Sequence, residues 1–260
     1  MLIRTTFIGA GNLAWHLAPA LDNVGYPVRE VYSQNPKHAA ALVGRLYEAH
    51  VNISLDFSAS ASKVFVICVS DDAIQEVAQK IILPDNAIVV HTSGSQPLSV
   101  LDDSGSQNMG VFYPLQTFTK AKKVDFKNVP IFVESENADV EKALVKMAKA
   151  ISGNVKKINS EGRKALHIAA VFASNFSNHM LHIAKEIAQQ NDLDYNVLKP
   201  LIAETLNKSL EIGPEKAQTG PAVRGDFEIL ERHMEFLKEN PELAEIYRLI
   251  SQHIIDSSGE

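Results

Sequence analysis

Residues 7–14 read FIGAGNLA, which places Gly9, Gly11 and Ala14 at the spacing G-x-G-x-x-A. An apolar run of β character, LIRTTFIG (residues 2–9), leads into the motif, and a helical pattern, NLAWHLAPALDNVG (residues 12–25), leaves it. Gly9 permits a tight turn, Gly11 lets a phosphate approach the backbone, and the small Ala14 lets helix and strand pack closely. The first N–H groups of the helix, at Asn12 and Leu13, have no acceptor within it and can receive a pyrophosphate. A glycine turn between strand and helix also has a plainer reading, as a turn and nothing more. The strand–turn–helix context is what the dinucleotide-binding reading requires, and it is met.

Working outward, the same grammar repeats to about residue 158. PVREVYS, SKVFVICVS, NAIVVHTS, QNMGVFY, VPIFVE and NVKKIN read as strands, with helical stretches between most of them. Continuous apolar strands separated by helices indicate a mostly parallel sheet covered on both faces. After Ser160 the strand patterns cease. EGRKALHIAAVFASNFSNHMLHIAKEIAQQND reads as one long helix, apolar around most of its circumference and so expected to be buried on several sides. Three more helical stretches follow. Pro200 marks a kink or break in the first of them, and Asn240 with Pro241 forms the start of the last. The expected architecture is a Rossmann-type α/β domain over residues 1–158 and an all-helical domain over 159–260.

Composition narrows the function. The net charge is −6, 22% of residues are charged, and no basic block stands out, so the footprint of a nucleic-acid binder is missing. No apolar run reaches the roughly 18–20 residues of a membrane span. The single cysteine, Cys68, supports neither a disulfide framework nor a zinc site. The N-terminal MLIRTTFIGAGN is too short and too soon glycine-rich for a signal peptide. These features point to a cytoplasmic protein acting on a small molecule, without a metal.

The strand ends refine the cofactor. NAD sites usually place an acid at the end of the second strand, to bind the ribose 2′-hydroxyl. Here that end carries Ser33, Gln34 and Asn35, and Glu30 comes too early. Without the acid, the 2′-phosphate of NADP meets no repulsion, and Ser33, Asn35 and Lys37 can bind it; NADP is therefore expected ahead of NAD. Ligands of doubly wound sheets lie beyond the carboxyl ends of the strands. Val69 and Ser70 stand at one such end, and Thr92, Ser93 and Gly94 at another, following His91. Asp71 or Asp72 caps the next helix on the plainer reading.

Through FIGAGNLA, VSDDAI, HTSGS, YPLQTF, KALHIAAVFASN and TGPAVRGD, the chain resembles the 6-phosphogluconate-dehydrogenase-like superfamily. Within it the chain is most similar to a bacterial branch of NADP oxidoreductases that resemble pyrroline-5-carboxylate reductases. The resemblance implies hydride transfer to or from a small polar carbonyl or imine compound, with a carboxylate on it left open. It also implies a homodimer formed through the helical domain, with a site between domains. Many members of the branch carry His where Tyr113 precedes Pro114, which weakens an acid role carried over to that position.

On an unbroken helix at 100° per residue, Lys164, His167, Asn175, Asn178 and His182 fall within about 60° of Lys164. Such a stripe either faces a wet cleft or makes core hydrogen bonds, the latter expected of Asn178 and His182. Lys164 and Asn175 lie about 16 Å apart along the axis and cannot both touch one small centre, whereas Lys164 and His167 can. Superfamily dehydrogenases commonly carry a Lys followed one turn later by an Asn on this helix. If Asn175 is that Asn, Val171 stands in the place of the Lys; if Lys164 is the Lys, Ile168 falls near the Asn position. The expected roles are His167 as acid/base or polar anchor, Lys164 as its electrostatic partner and Asn175 as substrate positioner. The incomplete pair also leaves a second reading, a dinucleotide-binding sensor without efficient hydride transfer.

TGPAVRGD (219–226) contains an adhesion-like tripeptide, but nothing suggests secretion. Asp226 is placed to cap the following helix. By the same resemblance Thr219 and Arg224 are candidate substrate-binding residues, since an arginine fork suits a carboxylate.

Overall fold

In a computed structural model describing residues 3–258, the apolar runs form β1 (Thr5–Ile8), β2 (Val28–Tyr32), β4 (Val64–Ile67), β5 (Ile88–His91), β6 (Asn108–Pro114), β7 (Ile131–Glu134) and β8 (Val155–Lys157). Leu2, where the first strand is expected to begin, lies outside the described residues. An eighth strand, β3 (His50–Asn52), has no counterpart in the sequence reading. It is three residues long, half exposed and polar, as sheet edges tend to be, and so carries no apolar run.

The sheet order is β3-β2-β1-β4-β5-β6-β7-β8. Every pairing is parallel except β6 with β7. The first six positions reproduce the dinucleotide-binding order 3-2-1-4-5-6, in which the strand order, not the strand direction, switches between β1 and β4. Helices α1 (Asn12–Asp22), α2 (Pro36–Val43), α3 (Asp71–Lys80) and α4 (Ala138–Ile151) connect the strands, and QPLSVLDD forms a 3₁₀ helix, Leu98–Ser104. The core lies on both sheet faces. Phe7 and Phe112 belong to one cluster, Ile8, Phe65 and Ile67 to the other, all fully buried. Alternate residues of a strand thus serve opposite layers, which is why these strands read as unbroken apolar runs.

Beyond the sheet, α5 (Ser160–Ala170) continues through a π-helical stretch, Val171–Phe176, into α6 (Ser177–Gln190). A 3₁₀ turn at Tyr195–Leu198 precedes α7 (Lys199–Ile212), so Pro200 sits in the first turn of a new helix, where its missing N–H is harmless. Two single turns follow, α8 (Pro214–Ala217) and α9 (Pro221–Arg224), then α10 (Phe227–Phe236) and α11 (Pro241–Ser258). Asn240 caps α11 through Leu243 N–H, as expected. No helix among the described residues is long and apolar enough to cross a membrane.

Two compact units divide between His179 and Met180. The sequence places the boundary at 158/159, where strands end. The first half of the long helix nevertheless belongs with the sheet, because Arg163 is tied to Glu134 of β7 and Leu166 packs on the sheet cluster. The helix is also less buried than its apolar sequence suggests. Arg163 and Ala188 are its buried residues, while Ile168, Phe172 and Phe176 are 50%, 64% and 48% exposed. Asn178 and His182, expected to make core hydrogen bonds, are both exposed, and His182 faces Glu186 one turn on.

Candidate active site

Gly9 follows β1 with φ +106°, a conformation open to glycine and strained for other residues. A Cβ there would lie 2.3 Å from the Cys68 carbonyl oxygen, so the turn can press against β4 only as glycine. Ala14 is fully buried at the helix–sheet contact, the close packing its small side chain was expected to permit. Gly11 is exposed and stands at the N-cap of α1 without a side-chain cap. The N–H groups of the first turn, including Asn12 and Leu13, are therefore left for a ligand.

A cavity of about 350 Å³ opens at this edge, in the size range of ligand pockets. Its lining includes Gly9, Gly11, Ser33, Gln34, Val69 and Ser70, six of the residues expected to bind a dinucleotide. A glycine cradle, a helix N-terminus without a side-chain cap and an acid-free end to β2 fit a dinucleotide phosphate. Asn35 is not in this lining; its side chain caps α2 by accepting Lys37 N–H. Glu30 is also engaged, accepting the Thr6 hydroxyl. Lys80 and Glu76, ion-paired at 2.6 Å, line the same cavity and escaped the sequence reading because their helical spacing looks like ordinary surface pairing. Cys68 lies here too, but burial pushes its thiol up to about 12, against the hydrogen bond from Thr92, so it is no nucleophile at neutral pH.

At the end of β5 the chain turns tightly. Thr92 donates to the Ile67 carbonyl, and the Ser93 hydroxyl oxygen accepts the N–H groups of Ser95 and Gln96. Ser95 donates to Asp71, which with Asp72 lies in the first turn of α3 and does not cap it; Ser70 holds the N-cap position without a side-chain hydrogen bond. Gly94 fits into this turn because a Cβ would lie 2.5 Å from His167 Nδ1 and 2.8 Å from Tyr113 Cζ. Those two side chains are bonded to each other, Tyr113 Oη to His167 Nδ1 at 3.0 Å. A tyrosine from β6, an imidazole from α5 and a bare backbone from the β5 turn thus meet at the carboxyl edge of the sheet.

This pair borders a second cavity, of about 460 Å³. Leu115, Gln116 and Thr117 wall one side, and residues of α5 and the π stretch, including Val171, Ser174 and Asn175, wall the other. On an unbroken helix His167 and Asn175 would be about 80° apart, but the extra residue of a π turn sets Asn175 back by one position, about 20° from His167. The same step carries Asn175 away from Lys164. Lys164 is exposed and does not line this cavity, so the neighbour of His167 here is Tyr113. Burial raises the Tyr113 pKa, with Arg163 opposing and Asp71 adding to the shift. Tyr113 was passed over because the resemblance leads one to look for histidine at that position.

Arg163, also unread in the sequence, anchors the wall. It is fully buried, and its five N–H groups are all engaged. Nε and Nη2 donate to Glu134, Nη1 to the Ser93 and Gln96 carbonyls, and Nη2 also to Ser160 Oγ. His91, fully buried beside it, accepts Ser93 N–H at Nδ1, while its Nε2 has no partner in hydrogen-bonding geometry among the described residues. Burial, and then the charge of Arg163, lower its pKa to about 3, the Pro97 carbonyl and Asp71 opposing. His91 is therefore neutral when folded but protonates near pH 6.5 when unfolded. The native state stays unprotonated down to about pH 3, so stability is complete above pH 6.5 and falls with pH by about 1.4 kcal/mol per unit below it. Denaturant melts of the native chain and His91→Phe should show the variant losing less stability between pH 7 and pH 4; parallel losses would contradict this.

In the C-terminal unit, Thr219 lines an apolar cavity with Met180, Leu230, Tyr247 and Ile254. Asp226 occupies the N-cap of α10, yet its side chain does not cap it. The carboxylate instead binds Arg224 through Nε at 2.8 Å and Nη2 at 2.7 Å, which closes the arginine fork.

Comparison with known proteins identifies the family. Residues 4–94 match the family described as NADP oxidoreductase, coenzyme F420-dependent, and residues 129–254 match a domain of unknown function, DUF2520. A candidate NADP oxidoreductase of Bacteroides fragilis is 37% identical, with 98% of each chain covered and a TM-score of 0.89. The chain belongs to the NADP oxidoreductase family. NADP is the cofactor of this family, as the acid-free end of β2 led one to expect. Two more distant NADP oxidoreductase-fold structures share the architecture. An imine reductase of Myxococcus stipitatus in complex with NADP⁺ is 14% identical over 97% of this chain and 92% of its own, with a TM-score of 0.66. A reductive aminase of Aspergillus terreus in complex with NADPH and ethyl levulinate is 14% identical over 100% and 96%, with a TM-score of 0.70. No curated protein matches the sequence significantly.

Proposed function

We propose that the chain transfers hydride between NADP and a small polar carbonyl or imine compound, with the Tyr113–His167 pair handling the proton. The observation that carries this reading is the pair itself, hydrogen-bonded at 3.0 Å and seated against Gly94 where a doubly wound sheet presents its ligands. The free N–H groups of α1 hold the phosphates, and Ser33 and Gln34 border the ribose. NADP, when bound, supplies or accepts the hydride. The side chains of this chain deal with the other half of the reaction, the charge developing on oxygen or nitrogen.

The shared bond can be oriented in two ways, and each leaves one proton to give. If Tyr113 donates to Nδ1, the His167 Nε2–H is free; if Nδ1 carries the proton and donates to the tyrosine oxygen, the phenolic O–H is free. Either donor can protonate an alkoxide or amine as it forms. Asn175, on the same wall as His167, positions the substrate. The test is NADPH consumption against a panel of ketones and cyclic imines. Steady turnover supports the reading. Tight NADPH binding with a silent panel would favour the sensor reading instead.

A homodimer through the C-terminal unit is part of this proposal. Leu201, Leu206, Leu210 and Phe227 are 63%, 54%, 86% and 61% exposed there, more apolar surface than a lone soluble chain usually displays in one small unit. Leu210→Glu should shift sedimentation from dimer toward monomer. A native chain that sediments as a monomer at micromolar concentration would refute the dimer.

A further inference from the structure

The next inference rests on the hydride-transfer reading and names its substrate class. We infer that the compound held in the Tyr113–His167 cavity is uncharged, a ketone, aldehyde or imine with an apolar body and no carboxylate. Among the described residues no Lys, Arg, Asp or Glu lines that cavity; apart from Tyr113 and His167, its walls are apolar or neutral. Leu115, Leu166 and Val171 supply apolar surface. Gln116 supplies a neutral donor: its Oε1 accepts from Thr117 N–H, which leaves the amide NH₂ to meet a carbonyl or imine acceptor.

The charges nearby give an anion no counterpart. Arg163 is felt at Tyr113, but all five of its N–H groups are spent on Glu134, Ser160 and two backbone carbonyls. Asp71, also felt at Tyr113, carries the same sign as an incoming carboxylate. Desolvating a carboxylate against such a wall, with no cation to pair with it, is strongly unfavourable. The arginine on which a carboxylated substrate was expected to depend, Arg224, is held by Asp226 in the C-terminal unit. The cavity therefore selects against the carboxylated substrates that the sequence reading left open.

Calorimetric titration of the full-length, NADPH-loaded protein reads this without turnover. The ligands are piperidone and its ring-carboxylated counterpart, neither of which is readily reduced. The neutral lactam should bind at least about tenfold tighter, and Gln116→Arg, at an exposed position, should narrow or invert that preference. Equal or tighter binding of the carboxylated lactam, no binding of either, or a preference unmoved by Gln116→Arg would each overturn the inference. Cyclohexanone and oxocyclohexanecarboxylate, followed by NADPH consumption, separate the two claims. Turnover of the carboxylated ketone alone would uphold hydride transfer and overturn the neutral class. Lactam binding without any NADPH consumption would do the reverse.

Discussion

Arg163→Met is expected to lower the stability of the N-terminal unit by about 3–5 kcal/mol, the cost of breaking a buried ion pair by removing one partner. Glu134 would keep only its bond from Ser160, and the Ser93 and Gln96 carbonyls would lose theirs. In thermal melts this corresponds to a fall of on the order of 10 °C. The double variant Arg163→Met/Glu134→Leu should recover part of the loss, because an apolar pair leaves no charge stranded. By contrast, Arg248→Met removes an exposed, solvent-screened partner of Glu245 and should leave the melting temperature almost unmoved. Equal effects at Arg163 and Arg248 would show that the buried network contributes no more than a surface pair.

Tyr113→Phe and His167→Ala are the second pair of large effects, and they concern rate. Each should reduce kcat by about 10²–10⁴-fold, the usual contribution of a positioned proton donor, and leave NADPH affinity unchanged. Phenylalanine keeps the ring that packs against Phe132 while deleting the hydroxyl bonded to Nδ1, so its loss reports the proton path and not the packing. The two variants act on one hydrogen bond, so the double variant should be little worse than either single one. Full activity in Tyr113→Phe would remove the tyrosine from the proton path; full activity in His167→Ala would remove the histidine.

Much of the N-terminal fold was legible in the sequence because parallel strands buried on both faces leave unbroken apolar runs, and because Gly9 and Ala14 each answer a separate steric demand. The site was legible only in part. His167 and Asn175 could be picked out as polar residues on an apolar helix, but a wheel drawn at 100° per residue aligned Asn175 with Lys164. The π turn, which neither glycine nor proline announces, aligns it with His167 instead. Arg163 resembled any charged residue near a helix start, since its worth comes from Glu134 and from carbonyls some seventy residues back in the chain. Asp226 looked like a cap and is an ion-pair partner, because Arg224 two residues earlier offers its carboxylate a cation.

The central claim is that the loop after β1 holds NADP, and a thermal-shift titration with NADPH and NADH, on the native chain and on Gly11→Asp, tests it most directly. Gly11 is chosen because a side chain there meets no other residue closely, so the variant should fold while its carboxylate repels a phosphate. The native protein should gain about 2.7 kcal/mol of stability at a hundredfold excess of NADPH over its dissociation constant. NADH should give a smaller gain, and Gly11→Asp none with either ligand. A native protein that NADPH leaves unmoved, or a Gly11→Asp variant stabilised as much as the native chain, would contradict the account.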